Sequence, residues 1–268
     1  MNLSVHPHHR RHLRPAVRRV LTVTVVACIA VGGASFVLHS RSAVPAASAT
    51  STSSASAASE AESSLLTARQ AQAILDDPRM VLVNHTNKMP DDHTFTTKAC
   101  GSATAVNKTL QTEAADAFLA MQAAAAKDGV TIWMQSGYRS VDYQKNLYDQ
   151  KTQYFRNKGL SEAEAKKQAA NIVNPPGYSE HNCGLATDLT EGFENTEAFR
   201  WLSAHAVEYG FILRYPKNAE AVTEITYEPW HWRYVGPENA ALIQQSGLCF
   251  EDAVAVLQKL AAGEKITG

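Results

Sequence analysis

Acidic residues are missing from the first 59 positions of this 268-residue chain, which carry six arginines instead. The rest of the chain holds 19 basic and 26 acidic residues, so its formal charge is −7 with histidine neutral. A nucleic-acid-binding domain usually has an excess of basic residues. The acidic balance therefore excludes nucleic acid from the expected partners of the C-terminal part.

Cysteine is also scarce, with four residues and no CxxC pair, which argues against a cysteine-based zinc knuckle. Three cysteines, Cys100, Cys183 and Cys249, lie in the acidic part of the chain. An odd number leaves at least one of them without a partner in the same chain, and the spacing does not predict which. A glycine-rich phosphate loop and a regular βαβ alternation are absent from the sequence as well.

Charged residues are absent from Val20–Leu38, a run of nineteen residues that is long enough to cross a bilayer as one helix. Five arginines precede it and Arg41 follows it, which places the N-terminus in the cytoplasm. This pattern favours a single-pass signal anchor in the cell membrane, with the body extracytoplasmic. The alternative is a signal peptide cleaved near Ala47–Ala49 and a secreted body. Both interpretations export the acidic part of the chain.

The chain divides into four predicted segments. Residues 1–19 form a basic cytoplasmic segment, and 20–38 the transmembrane anchor. Residues 39–64 are almost entirely serine, alanine and threonine, a composition that predicts a disordered linker. Residues 65–268 are enough for one well-covered core and form the predicted catalytic domain.

Helical and strand-like patterns are mixed along this domain, which predicts an α+β fold. Ser161 and Glu164 form a capping-box pattern at the start of one helix. The predicted helices are 64–75, 108–129, 141–159, 161–173, 196–210 and the tail from 237. The predicted strands are 80–84, 130–136 and 211–215, followed by an aromatic, extended segment at 228–236.

The stretch "HNCGLATD" separates His181 from Asp188 by seven residues. Gly184 and small neighbours allow a turn into a short strand, so both side chains can face one centre. Imidazole nitrogen and carboxylate oxygen are ordinary Zn²⁺ ligands. For this pair alone, a surface histidine and a helix-capping aspartate remain an open alternative.

The stretch "EPWH" places Glu228 three residues before His231. Pro229 is incompatible with a helix interior, so this is not the helical H-E-x-x-H arrangement. His231 could supply a third ligand and leave an open position for water, with Glu228 beside it to accept a proton. An aromatic core strand is the alternative for this stretch alone.

The stretch "SGYRS" puts Arg139 where a predicted strand meets a helix. An arginine there can hold a carboxylate or stabilise an oxyanion through paired hydrogen bonds. For this arginine taken alone, a surface salt bridge is the simpler explanation.

Together, "SGYRS", "SEHNCGLATDL" and "EPWHWRYVG" occur in the order and spacing of a known family. They resemble the VanY-like D-alanyl-D-alanine carboxypeptidases, part of the zinc peptidase group that includes lysostaphin-type enzymes and the hedgehog fold. The pattern S-x-H-x-x-G-x-A-x-D is met by Ser179, His181, Gly184, Ala186 and Asp188, and E-x-W-H by Glu228, Trp230 and His231. The resemblance covers roughly residues 80–236.

The resemblance implies a role for each matched residue. His181, Asp188 and His231 would bind Zn²⁺, and Glu228 would be the general base. Arg139 would stabilise the tetrahedral intermediate or hold the substrate. Ser179 and Gln144 would contact the substrate, while Cys183 occupies a variable position and is not expected to bind the metal. The implied fold is a small antiparallel sheet that carries the zinc site, flanked by helices.

The implied function is removal of the terminal D-Ala from peptidoglycan stem peptides or their lipid-linked precursor outside the membrane. An L,D-carboxypeptidase acting on stem tetrapeptides would share every one of these motifs. A D,D-dipeptidase fits less well, because it would act on free dipeptide in the cytoplasm. A non-catalytic wall-binding module of the same fold is the alternative from a different class. The sequence predicts no oligomeric state.

Overall fold

The computed structural model describes residues 66–101, 107–190 and 193–266. The predicted basic segment, anchor and linker lie outside the described residues. Within the described ranges, the helices are α1 Ala68–Leu75, α2 Thr112–Lys127, α3 Val141–Asn157, α4 Glu162–Ala170, α5 Glu197–His205, α6 Glu220–Thr223, α7 Pro237–Ser246 and α8 Phe250–Ala261. The strands are β1 Thr97–Ala99, β2 Thr109–Gln111, β3 Met134–Ser136, β4 Ala186–Leu189, β5 Phe211–Leu213 and β6 His231–Tyr234.

Two small antiparallel sheets confirm the predicted α+β class. Strands β1 and β2 form a separate pair, and the main sheet has the order β3-β4-β6-β5. Most of the helices follow β2 in the chain, where they come before, between and after the strands of the main sheet. The capping box at α4 is present, with Ser161 and Glu164 each bonding the other's backbone.

Alternation along the strands gives the main sheet two different faces. Trp232 and Tyr234 in β6 belong to the apolar cluster that contains Phe118 and Met121 of α2. Both α2 side chains are fully buried, and each contributes about 1.5–3 kcal/mol by burial. The opposite face of the sheet lies toward α7 and α8. Phe250 of α8 packs in a second apolar cluster.

The predicted strand at 80–84 is wrong. Met80 ends a short 3₁₀ turn, Pro78–Met80, and the following residues form no strand. The reason is a tertiary contact, because Arg233 Nη2 donates to the carbonyl oxygens of Arg79 and Val81 at 2.9 and 2.8 Å. A side chain therefore takes hydrogen bonds that a neighbouring strand would otherwise have made.

The predicted helical tail forms two helices, because Gly247 adopts a left-handed φ of 66° at the end of α7. Among the described residues, no single helix has both the length and the apolar character to cross a membrane. The pair Pro237–Ser246 and Phe250–Ala261, bent by 96° at its break, meets that length and composition only when taken together.

Candidate metal centre

His181 lies in a short 3₁₀ turn, Glu180–Cys183, that leads into β4. The turn ends at Gly184, whose φ is 68°, and a Cβ there would approach Phe95 Cε2 to 2.8 Å. Glycine is therefore required at this position. The Nδ1 atom of His181 lies 2.7 Å from the carbonyl oxygen of Gly137. Because a carbonyl only accepts, Nδ1 carries a proton and the Nε2 lone pair is left facing the centre.

Asp188 and His231 are brought together by strand pairing. They are register partners in β4 and β6, so their side chains stand next to each other on one face of the sheet. Asp188 Oδ1 lies 3.4 Å from His181 Nε2 and 3.3 Å from His231 Nδ1. One donor atom from each of the three residues lies within 4.8 Å of the others, and all three are buried.

This donor set fits a zinc ion. Two imidazole nitrogens and one carboxylate oxygen are the usual ligands of a catalytic zinc with an open position. Ligand atoms about 2.0–2.2 Å from a tetrahedral metal lie about 3.3–3.6 Å apart, a range that includes the two distances given above. Asp188 Oδ1 is buried and has no hydrogen-bond partner among the described residues. A cation between the three side chains would satisfy this oxygen.

The electrostatics of the centre favour a positive charge. Burial alone would lower the pKa of His231, but its contacts with Asp188 and Glu180 outweigh burial and raise the pKa to about 9. Burial raises the pKa of Asp188, but the two neighbouring histidines hold it well below its usual range. Burial, together with the charge of Arg139, lowers the pKa of His181. In the metal-free protein, His231 is therefore protonated, and its ring carries the positive charge that a metal ion would supply.

Glu228 lies on the turn just before β6, with Oε2 3.6 Å from His231 Nδ1. Its backbone N–H donates to the carbonyl oxygen of Tyr215, and the N–H of His231 donates to the Glu228 carbonyl oxygen. The turn thus fixes the carboxylate beside the three donor atoms without making it one of them. Burial raises the pKa of Glu228, and the nearby charge of Asp188 raises it further. A carboxylate with a raised pKa suits general base and acid catalysis.

Arg139 follows β3 and lies beside the centre. Its Nη2 donates to Asp188 Oδ2 at 2.9 Å, and its Nε donates to Ser136 Oγ at 3.0 Å. The resemblance assigned Arg139 to the substrate or the intermediate. In this structure the guanidinium holds the second oxygen of Asp188, so it also orients one of the three donor residues.

A cavity of about 370 Å³ opens in front of the three donor residues, lined also by Arg139, Glu228, Ser179 and Gln144. Every site residue predicted from the sequence therefore borders one cavity. Gln144 in α3 is buried, and its Nε2 donates to the carbonyl oxygen of Asn174 at 2.7 Å. Its Oε1 is buried without a partner among the described residues.

Sequence reasoning missed Glu180, which precedes His181. Its side chain is fully buried and contacts Arg214, Arg233 and His231. A signal was present, since both arginines stand between apolar residues in "FILRY" and "HWRYV". A charged residue inside an apolar strand predicts a buried partner of opposite charge.

The described cysteines Cys100, Cys183 and Cys249 are all free and buried. Cys183 lies two residues after His181 but is not one of the three residues whose donor atoms converge. Burial raises the pKa of its thiol to about 12, so it is protonated near neutral pH. That Cys183 does not bind the metal stays a prediction.

Comparisons with known proteins agree with this geometry. Residues 107–237 match the family model described as VanY: D-alanyl-D-alanine carboxypeptidase. A D-alanyl-D-alanine carboxypeptidase of Enterococcus faecalis is 32% identical over 255 residues, which cover 91% of this chain and 94% of the relative.

Two solved structures share the fold. One is a mutant of the vancomycin resistance D,D-pentapeptidase VanY in complex with Zn(II), with 34% identity and a TM-score of 0.57, covering 66% of this chain and 99% of the other. The second is an LD-carboxypeptidase described for its peptidoglycan recognition, with 33% identity and a TM-score of 0.57, covering 67% and 88%. The chain is an enzyme that belongs to the VanY family of D-alanyl-D-alanine carboxypeptidases.

Proposed function

We propose that this protein is a membrane-anchored, zinc-dependent carboxypeptidase that removes the terminal D-Ala from peptidoglycan stem peptides outside the membrane. The observation that carries the proposal is the convergence of His181, Asp188 and His231 at ligand spacing beside Glu228. His181, Asp188 and His231 are the metal ligands in this proposal. The related pentapeptidase structure that holds Zn(II) supports the choice of metal.

Glu228 is the general base. A zinc ion at this site supplies Lewis acidity and brings the pKa of a bound water towards neutrality. The Glu228 carboxylate accepts the proton of the attacking water and returns it to the amine of the departing D-Ala. Its raised pKa favours the first transfer, because a more basic carboxylate accepts the proton of the water more readily and holds it until the peptide C–N bond breaks.

Arg139, Ser179 and Gln144 bind and orient the substrate. The cation of Arg139 stabilises the negative charge that develops on the scissile carbonyl oxygen, while keeping Asp188 in place. Ser179 offers a hydroxyl beside His181, and Gln144 offers the buried Oε1 that has no partner in the described protein. A peptide N–H of the substrate would satisfy this acceptor.

The test is product analysis on defined muropeptides. Purified protein with zinc is incubated with pentapeptide and with tetrapeptide, and mass spectrometry follows the release of D-Ala. We expect release from the pentapeptide, and a chelator should abolish it. Failure to release D-Ala from either peptide by zinc-loaded protein would contradict the proposed function.

An L,D-carboxypeptidase is the second candidate, because the LD-carboxypeptidase structure is similar to this chain to the same extent as the D,D-pentapeptidase structure. The two activities act on peptides that differ by one D-Ala, so the same experiment separates them. Release of D-Ala only from the tetrapeptide would identify the L,D activity.

The membrane anchor is tested separately. Mass spectrometry of the N-terminus of the mature protein distinguishes the anchor from a cleaved signal peptide. An anchored protein retains residues 20–38 and stays with the membrane fraction, whereas cleavage near Ala47–Ala49 would release the catalytic domain.

A further inference from the structure

A second cluster of charged side chains lies directly behind His231. Glu180 and Arg214 are fully buried, and Arg214 Nε donates to Glu180 Oε1 at 2.7 Å. Arg233 is also fully buried, with Nη1 3.1 Å from the same oxygen. The carboxylate of Glu251, at the start of α8, accepts hydrogen bonds from both terminal nitrogens of Arg214, at 2.8 and 2.5 Å. Two carboxylates and two guanidiniums balance, so the cluster has no net charge.

Strand alternation explains the position of this cluster. His231 and Arg233 are two residues apart in β6 and so lie on the same face of the sheet. Arg214 directly follows β5, and its N–H donates to the carbonyl oxygen of His231. The sheet face that presents His231 to the cavity therefore also presents the two guanidiniums that surround Glu180.

The two oxygens of Glu180 have different partners. Oε1 faces both guanidiniums, and Oε2 lies 3.4 Å from His231 Nε2. Arginine stays protonated in proteins, and two fully buried guanidiniums lie against Oε1, so Glu180 is the ionised partner of a charge pair. An ionised carboxylate only accepts. The ring nitrogen that faces it must carry the proton, which leaves Nδ1 for the metal.

We propose that Glu180 is the positioning residue of His231, fixing the tautomer and orientation of its ring, and that Arg214 and Glu251 hold Glu180 in place. This inference rests on the proposed metal site. A charge cluster with only a structural role would need no contact with His231, because its own four members already balance. Through Glu251, the C-terminal helix α8 becomes part of the support of the metal centre.

A comparison of the two histidines of the centre supports the same assignment. His181 is fixed by the carbonyl oxygen of Gly137 at Nδ1 and presents Nε2. His231 is fixed by Glu180 at Nε2 and presents Nδ1. The two rings meet nearly edge to face, at an interplanar angle of 86° and a centroid distance of 5.0 Å. Each ring therefore has one supporting contact that selects the nitrogen left for the metal.

The test compares zinc affinity in Glu180 variants of the full-length protein. Glu180→Gln removes the charge, and Glu180→Asp keeps the charge balance while withdrawing the carboxylate by one methylene, about 1.5 Å. Zinc dissociation constants are measured by competition with a chelator. We expect them to rise about 10- to 100-fold in Glu180→Gln and at least about 10-fold in Glu180→Asp. Thermal unfolding of the metal-free proteins reports whether each variant folds.

Asp77→Asn is the matched control. Asp77 also forms a partly buried pair with an arginine, Arg79, but its partners are Arg79 and Asn239 rather than residues of the centre. This variant should lose stability without a change in zinc affinity. Glu251→Gln should raise the zinc dissociation constant by less than the Glu180 variants, because its effect passes through Arg214.

A spectroscopic signature completes the test. In zinc-loaded wild-type protein, NMR should show a slowly exchanging Nε2–H proton of His231 that is lost in both Glu180 variants. A folded Glu180→Asp variant with wild-type zinc affinity and an unchanged Nε2–H signal would overturn the inference and leave the proposed function standing. Unchanged affinity in Glu251→Gln would overturn the assigned support by α8. A wild-type protein that binds no zinc would overturn the proposed function, and this inference with it.

Discussion

Two buried clusters of charged side chains meet at His231, and they differ in the balance of their charges. On one side, Glu180, Arg214, Arg233 and Glu251 balance their charges. On the other side, Asp188 and Glu228 face the cavity with Arg139, and Asp188 Oδ1 has no hydrogen-bond partner among the described residues. Loss of one member of the balanced cluster would leave a buried charge unpaired, whereas the unbalanced cluster has room for a cation. An excess of negative charge among the buried side chains thus distinguishes the site from the balanced cluster beside it.

The largest expected effect comes from the carboxylate on the cavity side. Glu228→Gln should lower the turnover of the pentapeptide by about 10²–10⁴-fold, because it removes the proton acceptor. Zinc content should stay at the wild-type level, because Glu228 is not one of the three ligands. Peptide hydrolysis and metal analysis on the same samples check both points. The control is Glu224→Gln, which changes an exposed glutamate that pairs with His85 and not with the centre. This variant should be fully active. Hydrolysis by Glu228→Gln at the wild-type rate would contradict the mechanism.

The balanced cluster is broken by Arg214→Met. This change leaves Glu180 and Glu251 buried without their shared partner, and should lower the free energy of unfolding by about 3–5 kcal/mol. Urea unfolding measures it. The matched control is Lys145→Met in the exposed pair with Asp149, which should change stability by less than about 1 kcal/mol. Equal effects of the two changes would show that burial of the cluster has no energetic consequence.

The shared residue, His231, predicts a pH dependence in the metal-free protein. Its pKa is about 9 in the folded state, above the ordinary 6.5. The stability from its proton is therefore fully present below pH 6.5 and is lost as the pH rises through 9. Between pH 7 and 9 the loss should be on the order of 2 kcal/mol.

Chemical unfolding at several pH values measures this loss, and His231→Asn should remove it. A zinc-saturated sample should not show the loss, because the metal replaces the ring proton. A metal-free protein whose stability does not change between pH 7 and 9 would argue against the excess negative charge inferred around His231.

The smallest expected effect concerns the cavity wall. Gln144→Leu removes the buried Oε1 and should raise KM for the peptide several-fold, about 1 kcal/mol, with little change in kcat. Gln153→Leu changes the same residue type on the exposed side of α3, where it bonds Asn157, and should have no effect. Steady-state kinetics of both variants give the comparison. A change in kcat alone for Gln144→Leu would assign this residue to a step other than binding.

The sequence predicted one cluster better than the other. Motifs with local spacing placed His181, Asp188, Glu228 and His231 at one site, and the structure brings them together. The pairing of Asp188 with His231 depends on strand register, a non-local property that spacing does not determine. The capping box of Ser161 and Glu164 was predictable because it is local.

The balanced cluster was missed because its members come from distant parts of the chain. Glu180 and Glu251 are 71 positions apart and meet only through Arg214. The wrong strand at 80–84 has the same origin, since the guanidinium of Arg233 binds the Arg79 and Val81 carbonyl oxygens. In both cases a long-range side-chain contact overrides or adds to the local pattern.

The central claim is that the unbalanced cluster binds one zinc ion. Crystals of the zinc-loaded protein, measured on both sides of the zinc absorption edge, test it most directly. We expect one anomalous peak at about 2.0–2.2 Å from His181 Nε2, Asp188 Oδ1 and His231 Nδ1. A zinc ion bound elsewhere, for example at Cys183, or the lack of any peak between these three side chains would contradict the account.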